Sequence, residues 1–451
     1  MVNNNLLKTV SFSYFPTWSV ESSIFTTVQS KYPMIPLENV LTRIKEVVVV
    51  KDSTSYKRIT VKLYGKGVVL RDETQGKYIG TKRQFLAHEG QLILSRIDAR
   101  NGAFGIVPKE LEGAIVTNDF WLFDIHDANP TFLMLILASE QFQNYWQLQS
   151  SGTTNRQRIC EQEFLSARIP IPPVDEQNIL IQQYLSKIEE AKKCFELATE
   201  EESELEKYVF SALGIKEKAY AENASIFQAV NFSSLYFWGC DKLTAQLPYL
   251  FEKYNAYSFN NKPQWVNEIF RGKSPKYADS KRMILNQKCN RKNSIDVKFA
   301  KSISEKWFDS ISEIYLTSTD DILINSTGEG TIGRASLVTK EFAGYLYDSH
   351  MLLLRVNKQL IEPELIVYLI NSQFGQKQIE MHKSAQATKQ TELGVENLKK
   401  IVFPLPDISI QRELVAYIKN ITSLVASSYT KASTLNDYAK RELEEAVFGE
   451  A

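Results

Sequence analysis

The feature that most constrains this chain is an internal repeat of about 220 residues within its 451. Val10-Ser-Phe12-Ser13-Tyr-Phe15-Pro-Thr-Trp18 aligns with Val230-Asn-Phe232-Ser233-Ser-Leu235-Tyr-Phe-Trp238 at a shift of 220. Gly90-Gln-Leu92-Ile93-Leu94-Ser95-Arg96 aligns with Asp320-Asp-Ile322-Leu323-Ile324-Asn325-Ser326 at 230. Ile169-Pro170-Ile171-Pro172 meets Phe403-Pro404-Leu405-Pro406 at 234, with Gln177 on Gln411. Glu204-Leu-Glu-Lys-Tyr-Val-Phe210 meets Glu442-Leu-Glu-Glu-Ala-Val-Phe448 at 238. The shift grows and never reverses, as a duplication with a few insertions requires. A repeat sets the architecture before any secondary structure is assigned.

Each copy has two parts. The first mixes strand-like runs, Ile59–Tyr64 and Ala114–Thr117, with glycine turns and one apolar helix, Pro130 to Trp146, whose counterpart runs from Pro363 to about Ile379. This reads as a compact α+β domain. The second part follows a Pro-x-Pro stop and is helical from Asp175 to Leu213 and from Asp407 to Phe448, with no internal proline or glycine. The resulting division is 1–170, 171–214, 215–402 (with a short linker, 215–225) and 403–451.

Heptad spacing on the long helices predicts a shared apolar seam. On the first it takes Ile181, Ile188, Phe195 and Val209 in one row and Tyr184, Ala191, Ala198, Leu205 and Ala212 in the other, with Glu202 as an exception. On the second it takes Leu414, Ile421 and Leu435 with Tyr417, Leu424 and Tyr438, flanked by Ile418, Val425, Ala432 and Ala439. Neither helix buries its stripe alone, so an antiparallel coiled coil is expected. At 1.5 Å per residue the helices form a spacer of about 50–60 Å. The step in the shift from 234 to 238 falls inside it and predicts arms unequal by about one turn.

Catalytic motifs are missing. Gly328-Glu-Gly330-Thr-Ile-Gly333 spells a dinucleotide fingerprint, but such a site needs a helix after the glycines, and Arg334–Val338 looks like a strand; a tight hairpin or exposed loop is the better account. Gly272-Lys273-Ser274 ends like a P-loop, yet Asn267 stands where the first glycine belongs. Asp175 with Glu190-Ala-Lys192 falls on different faces of one helix, so a nuclease metal site is not formed. The histidines 88, 126, 350 and 382 are unclustered, and no Asn/Asp-Pro-Pro-aromatic run of an amino-methyltransferase occurs. Cys160, Cys194, Cys240 and Cys289 form no C-x-x-C pair, so neither a disulfide framework nor zinc is indicated. With 53 basic and 53 acidic residues, no bulk charge argues for nucleic acid, although segregated charge remains open to the chain. No secretory segment or membrane span is read, and a cytoplasmic setting is expected.

A duplicated α+β domain followed by Pro-x-Pro, Gln and a long helix ending in Glu-Leu-Glu-x-x-Val-Phe resembles the DNA-specificity subunit of type I restriction-modification enzymes. Ile169-Pro-Ile-Pro-Pro173-Val-Asp-Glu176-Gln177 matches the family's pattern closely; Phe403-Pro-Leu-Pro406-Asp-Ile-Ser-Ile-Gln411 departs by placing Ile410 before the Gln. The resemblance implies a prokaryotic, non-catalytic reader of double-stranded DNA whose two target recognition domains each read part of a split sequence. It implies two adenine-N6 methyltransferase subunits as partners and, in the restricting complex, translocase-nuclease subunits. S-adenosylmethionine, ATP and Mg would be held by those partners, and no cofactor by this chain.

Reading base edges needs hydrogen-bonding forks on loops, with hydroxyls and cations for phosphates. Copy one offers Arg96, Arg100 and Asn101 on one loop and Thr154, Asn155, Arg156 and Arg158 on another. Copy two offers Asn325, Ser326, Thr327, Thr331 and Arg334, then Lys383, Thr388, Lys389 and Gln390. The competing expectation is a coiled-coil scaffold with two protein-binding heads.

Overall fold

The computed structural model describes residues 30–149, 158–218, 247–385 and 391–449. The Val10–Trp18 and Val230–Trp238 blocks lie outside these, as does most of the 215–225 linker; its beginning, Ile215–Glu217, pairs antiparallel with Tyr249–Phe251. The chain forms two compact units, one from Met1–Phe195 with Tyr429–Ala451, the other Glu196–Ser428. Each unit thus takes part of both long helices, and the boundary does not fall where a helix begins.

The same four-stranded antiparallel sheet is built twice. In the first unit its order is Leu41–Ile44, Phe120–Ile125, Leu92–Ser95, Phe104–Ile106. In the second it is Val266–Arg271, Met351–Val356, Ile322–Asn325, Ala335–Leu337. Register is preserved: Ile93 lies opposite Leu122, and Leu323 opposite Leu353. Side chains alternate across a strand. Leu92 and Leu94 therefore enter one apolar cluster and Ile93 another, as Ile322 and Ile324 part from Leu323. Burial on both faces explains why these strands are apolar throughout instead of alternating with polar residues.

A second sheet differs between the copies. The first unit adds five strands in the order Val47–Val49, Arg83–Ala87, Ala114–Val116, Ser55–Val61, Val68–Gln75. The second has only three, Lys301–Ser302, Met283–Leu285 and Leu346–Tyr347. The apolar helix expected in each copy is two helices: α1 (Pro130–Leu137) and α2 (Glu140–Gln149), then α4 (Pro363–Asn371) and α5 (Gln373–His382). The break is chemical. Ser139 and Ser372 donate from Oγ to the Ile136 and Leu369 carbonyls, both at 2.7 Å, and accept from the N–H three residues on, so a hydroxyl closes one helix and opens the next.

The long helices are α3 (Val174–Leu213, 40 residues) and α6 (Ile408–Phe448, 41 residues). The expected inequality of one turn is therefore absent. α6 has four more residues between its Gln and its Glu-Leu-Glu, but α3 runs on past Phe210 to Leu213. The helices pair antiparallel in each unit. In the first, Lys187 meets Glu442, Glu190 meets Lys431 at 2.9 Å, and Phe195 lies 5.7 Å from Tyr429 between ring centroids. In the second, Leu205 and Val209 share a core with Leu414 and Ile418, and Tyr208 packs on Tyr417.

Within the seam, Ile181, Leu205 and Leu414 are buried, and Tyr184, Ile188, Ile421 and Leu435 half-buried. Tyr417 is 39% exposed, Leu424 50% and Phe195 39%, which puts them at the edge of the seam, where Phe195 and Tyr417 still pack on Tyr429 and Tyr208 of the other helix. The row read as flanking is the inner one: Ile418, Val425, Ala432 and Ala439 are buried, facing a partner that buries Ala191 and Ala198. Small residues in this row let it bury completely, while the bulkier tyrosines lie at its edge. Among the described residues, no helix is long and apolar enough to cross a membrane.

Candidate nucleic-acid interface

The first polar loop of each copy joins the two inner strands as a hairpin. In copy one it spans Ser95 to Phe104, turning through a short 3-10 segment, Ala99–Asn101, into Gly102 at φ 67°. In copy two it is the glycine-rich run. Ile322–Asn325 returns as Ala335–Leu337, with Gly328, Gly330 and Gly333 all at positive φ. A Cβ on Gly333 would meet Ile379 Cδ1 at 2.3 Å, so the third glycine is required by packing as well as by conformation.

Three loops meet at this hairpin in the same way twice. Arg96 N–H donates to the Asp119 carbonyl at 2.9 Å, and the Arg96 carbonyl accepts from Ile159 N–H at 3.2 Å. Ser326 N–H donates to His350 O at 2.8 Å, and its carbonyl accepts from Leu393 N–H at 2.8 Å. Ile159 and Leu393, which follow the second polar loop of each copy and lie some sixty residues of sequence beyond the first, are therefore held beside the start of the first. These bonds make Arg96 the counterpart of Ser326, Asp119 of His350, and Arg158 of Glu392. Through the sheet register, Arg43 corresponds to Ile269 and Lys45 to Arg271.

The side chains named from sequence divide by burial. Arg96 lies over the Trp121 ring, 4.9 Å from its centroid, and exposed Arg158 reaches Asp119 Oδ1 at 3.1 Å. Arg100 and Asn101 are half-buried, and the Asn101 carbonyl accepts from Tyr64 N–H. Asn325 and Ser326 are fully buried and hold the loop from beneath. Asn325 Nδ2 donates to the Gln287 carbonyl at 3.2 Å; the single Ser326 hydroxyl proton has the Leu393 carbonyl at 3.0 Å and Glu392 at 3.3 Å as acceptors. Thr327, half-buried, joins Gln287 Oε1 at 3.2 Å and His350 Nδ1 at 2.9 Å. Thr331 donates to the Gly328 carbonyl, and Arg334 lies 3.5 Å from the Asn290 carbonyl. Lys383 pairs with Glu380 at 2.6 Å. Thr154, Asn155, Arg156, Thr388, Lys389 and Gln390 lie outside the described residues.

Several groups in this corner carry no sequence signal of their own. Arg43 and Lys45 end an edge strand; Gln287, His350 and Arg271 come from segments far from either loop. Asn290 is buried and braces the second hairpin, donating to the Leu323 and Arg334 carbonyls and accepting from Ser336. Only strand register, counted outward from Ile93 and Leu323, points to the edge-strand cations. Burial lowers the Arg43 guanidinium to about 10 against the pull of Glu161, with Arg96 adding repulsion. Among the described residues, no group of three or more His, Cys, Asp or Glu is placed to hold a metal.

Comparison with known proteins agrees with this duplicated plan. A family model for the type I restriction modification DNA specificity domain matches residues 36–207 and again 266–436. A putative type I restriction enzyme MjaX specificity subunit of Methanocaldococcus jannaschii is 27% identical over 117 residues, 26% of this chain and 27% of that protein, so the match spans about a quarter of the relative. A solved chain from work on complex assembly and conformational transition of the type I R-M system superposes with a TM-score of 0.55 at 15% identity, covering 92% of this chain and 97% of that one; it shows the fold. The type I restriction-modification S subunit from M. genitalium gives 0.46 at 14% identity over 93% and 96%.

Proposed function

This chain belongs to the type I restriction-modification DNA specificity family, and from that premise we propose that its two units read the two unlike halves of an asymmetric, bipartite DNA target. One observation carries the asymmetry. The loops meet through identical backbone bonds in both units, yet the side chains there are Arg96, Asp119 and Arg158 in one and Ser326, His350 and Glu392 in the other. Equivalent scaffolds presenting different donors and charges select different base edges and phosphate geometries.

In this reading the chain is the non-catalytic guide. It brings two methyltransferase subunits that modify adenine at N6 with S-adenosylmethionine and, in the restricting assembly, ATP- and Mg-dependent translocase-nuclease subunits. The surface offered to them includes the flank of the helix pair, where Tyr417, Leu424 and Tyr438 of α6 stay partly exposed at heptad spacing beside α3. The test is a gel-shift with the methyltransferase partner present, followed by single-molecule sequencing of modified bases in a host carrying both genes. A split motif with unlike halves is expected. A palindromic motif overturns the asymmetry, and no split motif favours a scaffold.

A further inference from the structure

One corner of the first unit differs in charge from its counterpart, and we propose that it seats a single phosphate of the DNA backbone, a contact the second unit does not make. The inference rests on the reading of the chain as a DNA reader. A cleft of about 600 Å³ opens where the three loops of the first unit meet, with Arg43, Lys45, Arg96, Arg158, Trp121 and Glu161 in its wall. Arg43 and Arg96 share one indole, their Cζ atoms 5.8 and 4.9 Å from the Trp121 centroid. The Arg43 side chain is only 9% exposed and is fixed by donation to the Ile44 and Leu122 carbonyls at 2.7 and 2.8 Å. Arg43 Nε and Arg96 Nε are both buried from solvent without a hydrogen-bond partner among the described residues, Arg43 Nε lying 3.8 Å from Glu161.

Charge in the corner is unbalanced. Glu161 stands 3.1 Å from Lys45 and 3.8 Å from Arg43, and Asp119 stands 3.1 Å from Arg158. Four cations thus face two carboxylates. Two guanidiniums held against one apolar ring repel each other in a poorly screened setting. A phosphate diester in the open cleft relieves that repulsion and adds a second anion for exposed Arg158 and Lys45, in the geometry that planar guanidinium forks match.

The second unit closes the same place with its own side chains. Ile269 replaces Arg43, Ser326 replaces Arg96, and Glu392 replaces Arg158. Arg271, in the place of Lys45, is bound to Glu392 at 2.6 Å. The acid that corresponds to a cation in the first unit occupies the seat.

The test uses the full chain, a fluorescent random-sequence duplex and anisotropy titrations over a KCl series. Releasing one phosphate contact lowers the slope of log affinity against log salt by about 0.9. The double variant Arg96→Gln/Arg158→Gln is expected to lose about that much, Arg158→Lys to keep the slope, and Lys207→Gln, at an exposed lysine of α3, to leave it unchanged. Arg158→Glu, at an exposed position and carrying the residue of the second copy, guards against misfolding and should weaken binding by itself. A wild-type slope in the double variant, or a slope lost equally in Lys207→Gln, overturns the seat while leaving DNA reading intact. Failure of the unmodified chain to bind any duplex overturns both.

Discussion

Gln177 holds the start of a helix it does not belong to. Its Oε1 accepts the Asn129 N–H at 2.8 Å, just ahead of α1, and its Nε2 donates to the Pro172 carbonyl at 2.7 Å. Gln411 repeats this on Glu362 at 3.0 Å and Pro406 at 2.8 Å. Both side chains are buried. The glutamine after each Pro-x-Pro stop therefore joins the recognition domain to the long helix.

Replacing either glutamine with alanine leaves a buried N–H and a carbonyl unmet, at about 1–3 kcal/mol each. Urea unfolding should show losses of similar size for Gln177→Ala and Gln411→Ala. A loss in only one would mean that the repeated bond is unequal in strength.

The Val-Phe that ends each Glu-Leu-Glu motif is a docking residue. Phe448 packs on Phe142 with centroids 6.2 Å apart, and Phe210 on Phe374 at 6.3 Å. Truncating a packed phenylalanine costs about 3 kcal/mol in a well-filled core. Phe448→Ala should destabilise the first unit and Phe210→Ala the second, read by limited proteolysis of each; the reverse assignment would contradict the packing.

His88 sits between two carboxylates, Nδ1 2.7 Å from Glu112 and Nε2 2.9 Å from Glu46, and both bonds raise its pKa above the ordinary 6.5. A raised folded-state value gives stability that is fully present below the unfolded pKa and lost as pH rises through the folded one. The Tm difference between the native chain and His88→Gln should be largest under acid conditions below that point and shrink above it. A difference that grows with pH would refute the clamp.

Gly333 combines a φ of 77° with a Cβ position 2.3 Å from Ile379 Cδ1. Gly333→Ala must move the hairpin or α5, at about 1–3 kcal/mol. On the proposed bipartite reading, methylation of the motif should fall or the half assigned to the second unit should relax in sequence, while the bases specified by the other half stay unchanged; an intact motif would show that this hairpin does not take part in reading.

Helix length enters the target through geometry. Four residues add about one turn, 5.4 Å, against about 3.4 Å per base pair. Inserting them into α3 should change the recognised spacer by one to two base pairs. A methylated motif with the original spacing would exclude any role for helix length.

The sequence alone determined the duplication and the two long helices, and narrowed the glycine run to a tight hairpin or exposed loop, because each rests on local rules: collinear identity, unbroken helical periodicity, and glycine where φ must be positive. It also marked the two polar loops of each copy. Tertiary structure decided the rest. The heptad on α6 allowed two neighbouring rows, and burial in the fold picked the one carrying Ile418, Val425, Ala432 and Ala439, opposite a helix that buries Ala191 and Ala198. Asn325 looked like Thr327 in sequence, yet one is buried beneath the loop and the other reaches its polar rim. Arg43 had no motif at all. Its position against Trp121 follows from strand register, a non-local pairing that places residues nearly eighty positions apart in contact and that no local spacing rule records.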